Sequence, residues 1–173
     1  KEINFLTNII KNADPLTQGK YLKLFEKKFG NFIKKSNVFA VSSAAAALEI
    51  ISLLLGIKKD DEIIIPAHTY CATAIPFARN GAKIVWSDIN FKTRTVDLGD
   101  IKKKITPKTK AIVIVHLYGY AVDFRNIINF CKKKNIKIIE DCAQAIGAEV
   151  GGKKVGSIGD FSCFSLKSTL FIF

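Results

Sequence analysis

The chain has 173 residues, of which 49% are hydrophobic and 24% charged, with a formal net charge of +12. Such a length and apolar content suit one domain with a real core and exclude a disordered chain. The charge raises nucleic-acid binding, yet Arg79, Arg94 and Arg125 are the only arginines among 27 basic residues, and arginine is the preferred reader of phosphates and base edges. The scattered lysines read as a solvated surface, and no nucleic-acid partner is expected.

In chain order, Leu22, Phe25, Phe29, Phe32 and Ile33 mark one face of an amphipathic helix. Asn37 to Val41 reads as a short apolar strand. Ser43 to Leu55 reads as a helix with a serine at its start and Gly56 at its end. Glu62 to Pro66 is a strand, Thr73 to Asn80 a short helix closed by Gly81, and Ala82 to Ser87 a strand. Leu98, Ile101 and Ile105 give a helical face stopped by Pro107. A strand at Ala111 to His116, a helix at Phe124 to Lys134 and a strand at Ile136 to Glu140 follow. Glu149 to Val155, centred on Gly151-Gly152, reads as a hairpin, and Asp160 to Ser165 as a last strand.

Lysine runs at 102–104 and 132–134 close two of these helices, where cations favour the helix dipole. Ala40 to Ile57 is apolar enough to suggest a membrane span, but Ser42, Ser43, Glu49 and Ser52 interrupt it, so a buried core helix is expected and no membrane partner. The four cysteines, Cys71, Cys131, Cys142 and Cys163, form no C-x-x-C pair, and no histidine sits at ligand spacing. Neither a disulfide framework nor a metal site is expected, and a reduced cytoplasmic setting fits. With no methionine and an apolar final stretch at Leu170–Phe173, both ends are expected to be cuts in a longer reading frame.

Strands that are apolar throughout and alternate with helices imply an α/β fold, a mainly parallel sheet with helices on both faces. Ligands of such sheets bind beyond the carboxyl ends of the strands. No repeat or linker divides residues 1–173.

Three segments could carry chemistry there. Val41-Ser42-Ser43-Ala44-Ala45-Ala46 runs a strand into small residues that open a helix, whose free N–H groups favour phosphate. A plain serine cap on an alanine-rich core helix explains the same residues. Glu140-Asp141-Cys142-Ala143-Gln144 ends a buried strand with two carboxylates, suited to a cationic ring nitrogen or a metal, or to an ordinary helix cap. The last strand delivers Ser165, which could add a hydroxyl to an anion site or lie on the surface.

In order and spacing these segments resemble the DegT-type sugar aminotransferases, which have the fold-type I architecture of pyridoxal 5'-phosphate (PLP) enzymes. Leu16-Thr17-Gln18-Gly19 and Leu24-Phe25-Glu26 resemble the entry loop and first helix. Ser42 to Leu48 sits where the family has N-S-G-T-A-A-L, and Pro66 to Ala74 matches P-x-x-T-[FYW]-x-A-T. Asn80 to Lys83, Ser87-Asp88-Ile89, Thr106 to Ile112, His116-Leu117-Tyr118-Gly119, Glu140 to Ala145 and Gly156 to Ser165 follow in the family's order. The resemblance covers residues from about Leu16 to Ser165 and implies that 1–173 is the N-terminal part of the PLP-binding large domain. The rest of that domain and a small C-terminal domain would then be absent.

The resemblance further implies PLP-dependent transamination of a nucleotide-linked keto-sugar in surface polysaccharide or amino-sugar biosynthesis. Glutamate would be the amino donor, and the full-length protein a homodimer. Asp141 would face the pyridine nitrogen, Tyr70 would stack on the ring, and Gln144 would touch the 3-oxygen. Ala45 and Ala46 amides and the Ser165 hydroxyl would hold the phosphate. Ala44-Ala45 replaces the family's Gly-Thr, which removes one hydroxyl from the phosphate site. The family's Schiff-base lysine lies five residues past the serine, where this chain has Leu170; Lys167, three residues earlier, is the only nearby amine and the candidate catalytic lysine. The chain as given is therefore expected to be an incomplete or inactive fragment, the alternative being a catalytically inactive PLP-fold binding module.

Overall fold

Runs of isoleucine and valine supply the centre of the sheet. The computed structural model describes residues 1–12, 15 and 17–166. Five strands, β1 (Glu62–Pro66), β2 (Lys83–Ser87), β3 (Thr109–Val115), β4 (Lys137–Asp141) and β7 (Phe161–Cys163), pair in the order β2-β1-β3-β4-β7. Every pairing is parallel. β5 (Glu149–Val150) and β6 (Lys153–Lys154) form a separate antiparallel hairpin, with Gly151 and Gly152 turning at positive φ.

The chain divides into two compact units, Lys1–Ala40 and Val41–Phe173. The first holds helices α1 (Glu2–Asn12) and α2 (Lys20–Ile33). On α2 most of the apolar stripe predicted from spacing is present: Leu22, Phe25 and Phe29 are half-buried and Ile33 buried, with the Phe25 and Phe29 rings stacked at 5.7 Å, whereas Phe32 is exposed. A left-handed Lys34 ends the helix, donating its N–H to Asn31, as left-handed caps do. Helix α1 has no counterpart among the predicted elements.

The second unit holds the sheet with α3 (Ala44–Leu54), a 3-10 turn (Cys71–Thr73), α4 (Ile75–Arg79), α5 (Leu98–Lys104) and α6 (Arg125–Lys133). Because strand side chains alternate in direction, the sheet has two apolar faces. One joins Ile63, Ile65, Val113, Val115 and Ile139 to Leu48 and Ile51 of α3 and Phe77 of α4. The other joins Ile64, Ile112, Ile114 and Ile138 to Ile101 of α5 and Ile127 of α6. Each fully buried isoleucine contributes about 1.5–3 kcal/mol through removal from water. A parallel sheet covered on both faces is the expected fold.

Two local expectations fail. Residues 37–41 form no strand: Phe39 is 79% exposed and Val41 41% exposed. An apolar run becomes a strand only when an edge is there to pair with it, and none of the described strands pairs with this one. The helix predicted over Thr73–Asn80 is broken into the 3-10 turn and α4, with Pro76 in the first turn of α4, a position that needs no N–H donor. No helix among the described residues is long and apolar enough to cross a membrane.

Candidate functional site

Alternation along β4 sends its two terminal carboxylates to opposite faces. Ile139 belongs to the α3–α4 face, so Asp141 points there too; Ile138 belongs to the α5–α6 face, and Glu140 with it. Both carboxylates are buried, Asp141 at 6% exposure and Glu140 at 0%.

Asp141 is held from two directions. Its Oδ2 accepts the Thr73 hydroxyl at 2.9 Å and its Oδ1 the Ala143 amide at 3.1 Å. These partners are all neutral donors, and among the described residues no ion pair includes Asp141. A buried carboxylate without a cation is costly unless one arrives with a ligand.

The 3-10 turn begins at Tyr70, whose carbonyl accepts the Thr73 amide at 2.9 Å. Thus the turn that carries the largely exposed Tyr70 ring also carries the hydroxyl that grips Asp141. Helix α3 packs on this turn and on β7. Ser43 caps it by accepting the Ala46 amide at 3.1 Å, so the serine does act as the ordinary cap, and the Ala46 donor is engaged. Ala45 lies between them in the first turn, where amides lack intrahelical partners. A cleft of about 450 Å³ opens here, walled by Ala45, Ala46, Glu49, Ala72 and Arg79 among others; Asp141 is not part of its wall. Gln144 Oε1 accepts the Tyr118 amide at 3.3 Å and its carbonyl the Gly119 amide at 2.9 Å. Ser165 follows β7 by two residues and is half-buried. Lys167 and Leu170 lie outside the described residues.

Glu140 has a different role from the ring-nitrogen or metal partner that the sequence offered. Its carboxylate accepts the amides of Gly156, Ile158 and Gly159 at 2.8, 2.8 and 2.6 Å, and His116 Nε2 at 3.1 Å. His116 Nδ1 accepts the Val122 amide at 3.0 Å, so the ring proton sits on Nε2 and is donated to Glu140. Burial alone would push the Glu140 carboxyl up, but the hydrogen bonds from His116 and from the Gly159 and Gly156 amides outweigh it and hold the carboxyl below its ordinary value. Gly156 is required: its φ is +82°, and a Cβ there would run into the Phe164 ring. His116, Glu140 and Cys142 bring ligand atoms within 4.8 Å of one another. Both imidazole nitrogens are engaged, however, and burial pushes the Cys142 thiol well up, away from the thiolate a metal needs. Hydrogen bonding accounts for this cluster.

The sequence matches the DegT/DnrJ/EryC1/StrS aminotransferase family over residues 1–172. The chain belongs to that family. It is 39% identical over 164 residues to a GDP-perosamine synthase of Vibrio cholerae, covering 95% of this chain and 45% of that protein. It is also 39% identical over 165 residues to a dTDP-3-amino-3,6-dideoxy-alpha-D-galactopyranose transaminase of Aneurinibacillus thermoaerophilus, covering 95% of this chain and 46% of the relative. The PLP form of a proposed sugar aminotransferase from Streptococcus pneumoniae superposes with a TM-score of 0.89 at 29% identity, over 96% of this chain and 46% of that one. The chain thus spans less than half the length of the relatives it matches.

Thr73 and His116 are motif letters without a role read from sequence, and Glu140, one of the two carboxylates suited to a ring nitrogen or a metal, is instead satisfied by His116 and three backbone amides. For Thr73 the available signal was a second threonine four residues after Thr69 in a turn that follows a buried strand.

Proposed function

We propose that this chain supplies part of the cofactor cradle of a PLP-dependent aminotransferase acting on a nucleotide-linked keto-sugar, in surface polysaccharide or amino-sugar biosynthesis, with glutamate as amino donor. The observation that carries the reading is Asp141: a buried strand-end carboxylate with neutral donors on both oxygens, on the sheet face that also holds the start of α3. That donor set fits a protonated pyridine nitrogen, which would supply the missing cation. When bound, PLP supplies an electron-accepting ring. Asp141 keeps the proton on the ring nitrogen, and Tyr70 covers one ring face. Ala45 and the dipole of α3 attract the phosphate, with Ala46 contributing only if its amide leaves Ser43, and Ser165 adds a hydroxyl. Gln144, its Oε1 taken by Tyr118, offers its side-chain N–H groups to the 3-oxygen.

Two further features belong to this reading. The protein works in the cytoplasm, where nucleotide-linked sugars are made. It pairs as a homodimer, supported by the apolar outer side of α3, where Leu53 and Leu54 are 63% and 69% exposed. The test is incubation of the purified protein with PLP, glutamate and nucleotide-linked 3- or 4-keto-sugars, with mass detection of the amino-sugar. Formation of that product with release of the oxo-acid supports the reading. A second reading, a PLP-fold binding module without turnover, is favoured by Leu170 at the expected lysine position. PLP binding with no amino-sugar, by a protein of the relatives' full length, would support it.

A further inference from the structure

We infer that Thr69 and Thr73 form a directional hydroxyl chain that positions Asp141 for the cofactor's ring nitrogen; the inference rests on the reading that Asp141 faces that nitrogen. Thr73 is 2% exposed, and its Oγ1 lies 2.9 Å from Asp141 Oδ2. Thr69 Oγ1 lies 2.8 Å from Thr73 Oγ1. A carboxylate only accepts, so the Thr73 hydrogen points at Asp141. The Thr73 oxygen must then accept from Thr69, which fixes the direction of the whole chain: Thr69 to Thr73 to Asp141. Each bond polarises the next.

The geometry has a consequence for the carboxylate. Its Oδ1 is held by the Ala143 amide, from its own strand end, and its Oδ2 by Thr73, from a turn 68 residues earlier. Two contacts from independent segments stop rotation about the side-chain torsions. Each oxygen keeps a lone pair, so a carboxylate fixed in this way can still accept a ring N–H. Thr73 is also the last residue of the turn that starts at Tyr70, so the hydroxyl chain ties the stacking ring and the carboxylate to one backbone segment. Thr73 is a positioning residue acting through Asp141. Valine in its place keeps the shape and removes the donor, whereas serine keeps the donor.

The experiment measures equilibrium binding of PLP and of its 1-deaza analogue, in which carbon replaces the ring nitrogen, to the purified protein by fluorescence titration. The wild type is expected to prefer PLP. Thr73→Val is expected to lose about tenfold in PLP affinity, the usual effect of one hydrogen bond to a charged group, with analogue affinity unchanged. Thr73→Ser is expected to stay within about twofold of wild type, a rescue that a packing role would not give. Thr69→Val, one bond removed from the carboxylate, is expected to lose about threefold for PLP alone, and it carries the test if Thr73→Val does not fold. A wild type that prefers PLP with Thr73→Val and Thr69→Val binding PLP equally well would overturn the inference while leaving Asp141 in its role. A wild type that binds PLP and the analogue equally removes Asp141 from the ring nitrogen, and the hydroxyl chain's role with it.

Discussion

His116 Nε2 donates to Glu140 Oε2 at 3.1 Å, and both side chains are completely buried. The pair joins the end of β3 to the end of β4, and through three further amides it holds the loop that leads into β7. Glu140→Gln would turn an amide N–H2 toward donors that need an acceptor. A loss of about 2–3 kcal/mol is expected, the cost of leaving buried donors without an acceptor. Urea denaturation of the variant against wild type measures it; a loss below about 1 kcal/mol would show the network is not structural.

Acid should expose the same pair. The Glu140 carboxyl is held below its ordinary value in the folded state, so its stabilisation is fully present above the unfolded carboxyl value of about 4.3 and is lost as pH falls through the folded one. Asp61 and Asp100 are lowered as well and act with the same sign. Thermal midpoints measured from pH 7 down to about 3 should fall on the acid side. In Glu140→Gln that fall should be shallower; an unchanged slope would contradict the assignment.

Asp141→Asn should weaken PLP binding by at least about tenfold, because a neutral amide cannot hold the ring proton. Its effect on the thermal midpoint should be smaller than that of Glu140→Gln, since relief of an unpaired buried charge offsets the lost hydrogen bonds. Parallel dye-melt and titration measurements separate the two. Equal PLP affinity in wild type and variant would take Asp141 out of the site.

Borohydride reduction in the presence of PLP, followed by peptide mass mapping, should leave Lys167 unmodified at stoichiometric yield. The lysine position of the family falls on Leu170, three residues further on, and a misplacement of about 1 Å already costs about 100-fold in rate. PLP fixed to Lys167, with turnover lost in Lys167→Ala, would make that lysine catalytic.

Thiol chemistry checks the packing. Cys71 is exposed, whereas Cys131, Cys142 and Cys163 are buried. Burial pushes the Cys131 thiol up to about 11 and raises the Cys142 and Cys163 thiols well above the ordinary thiol value. A disulfide reagent at pH 8 should label Cys71 quickly and the rest only after unfolding. Rapid native labelling of Cys142 or Cys163 would show that the β4–β7 junction opens.

The sequence alone determined what depends on neighbours in the chain. The period of apolar residues fixed the strand at Glu62–Pro66 and the helical stripe from Leu22 to Ile33, and Ser43 before four alanines marked the cap of α3. Ordered motifs placed Asp141 at the carboxyl end of a buried strand. Tertiary structure decided what depends on register between distant strands. Nothing local says that Thr73 reaches Asp141, or that the Gly156–Gly159 amides close on Glu140 beside His116. Those contacts follow from parallel pairing, which sets Val115 against Asp141 and Asp141 against Cys163. The same dependence explains the segment at 37–41, whose apolar residues propose a strand that finds no paired edge among the described residues. A strand is completed by hydrogen bonds from another part of the chain, so its own residues only make it possible.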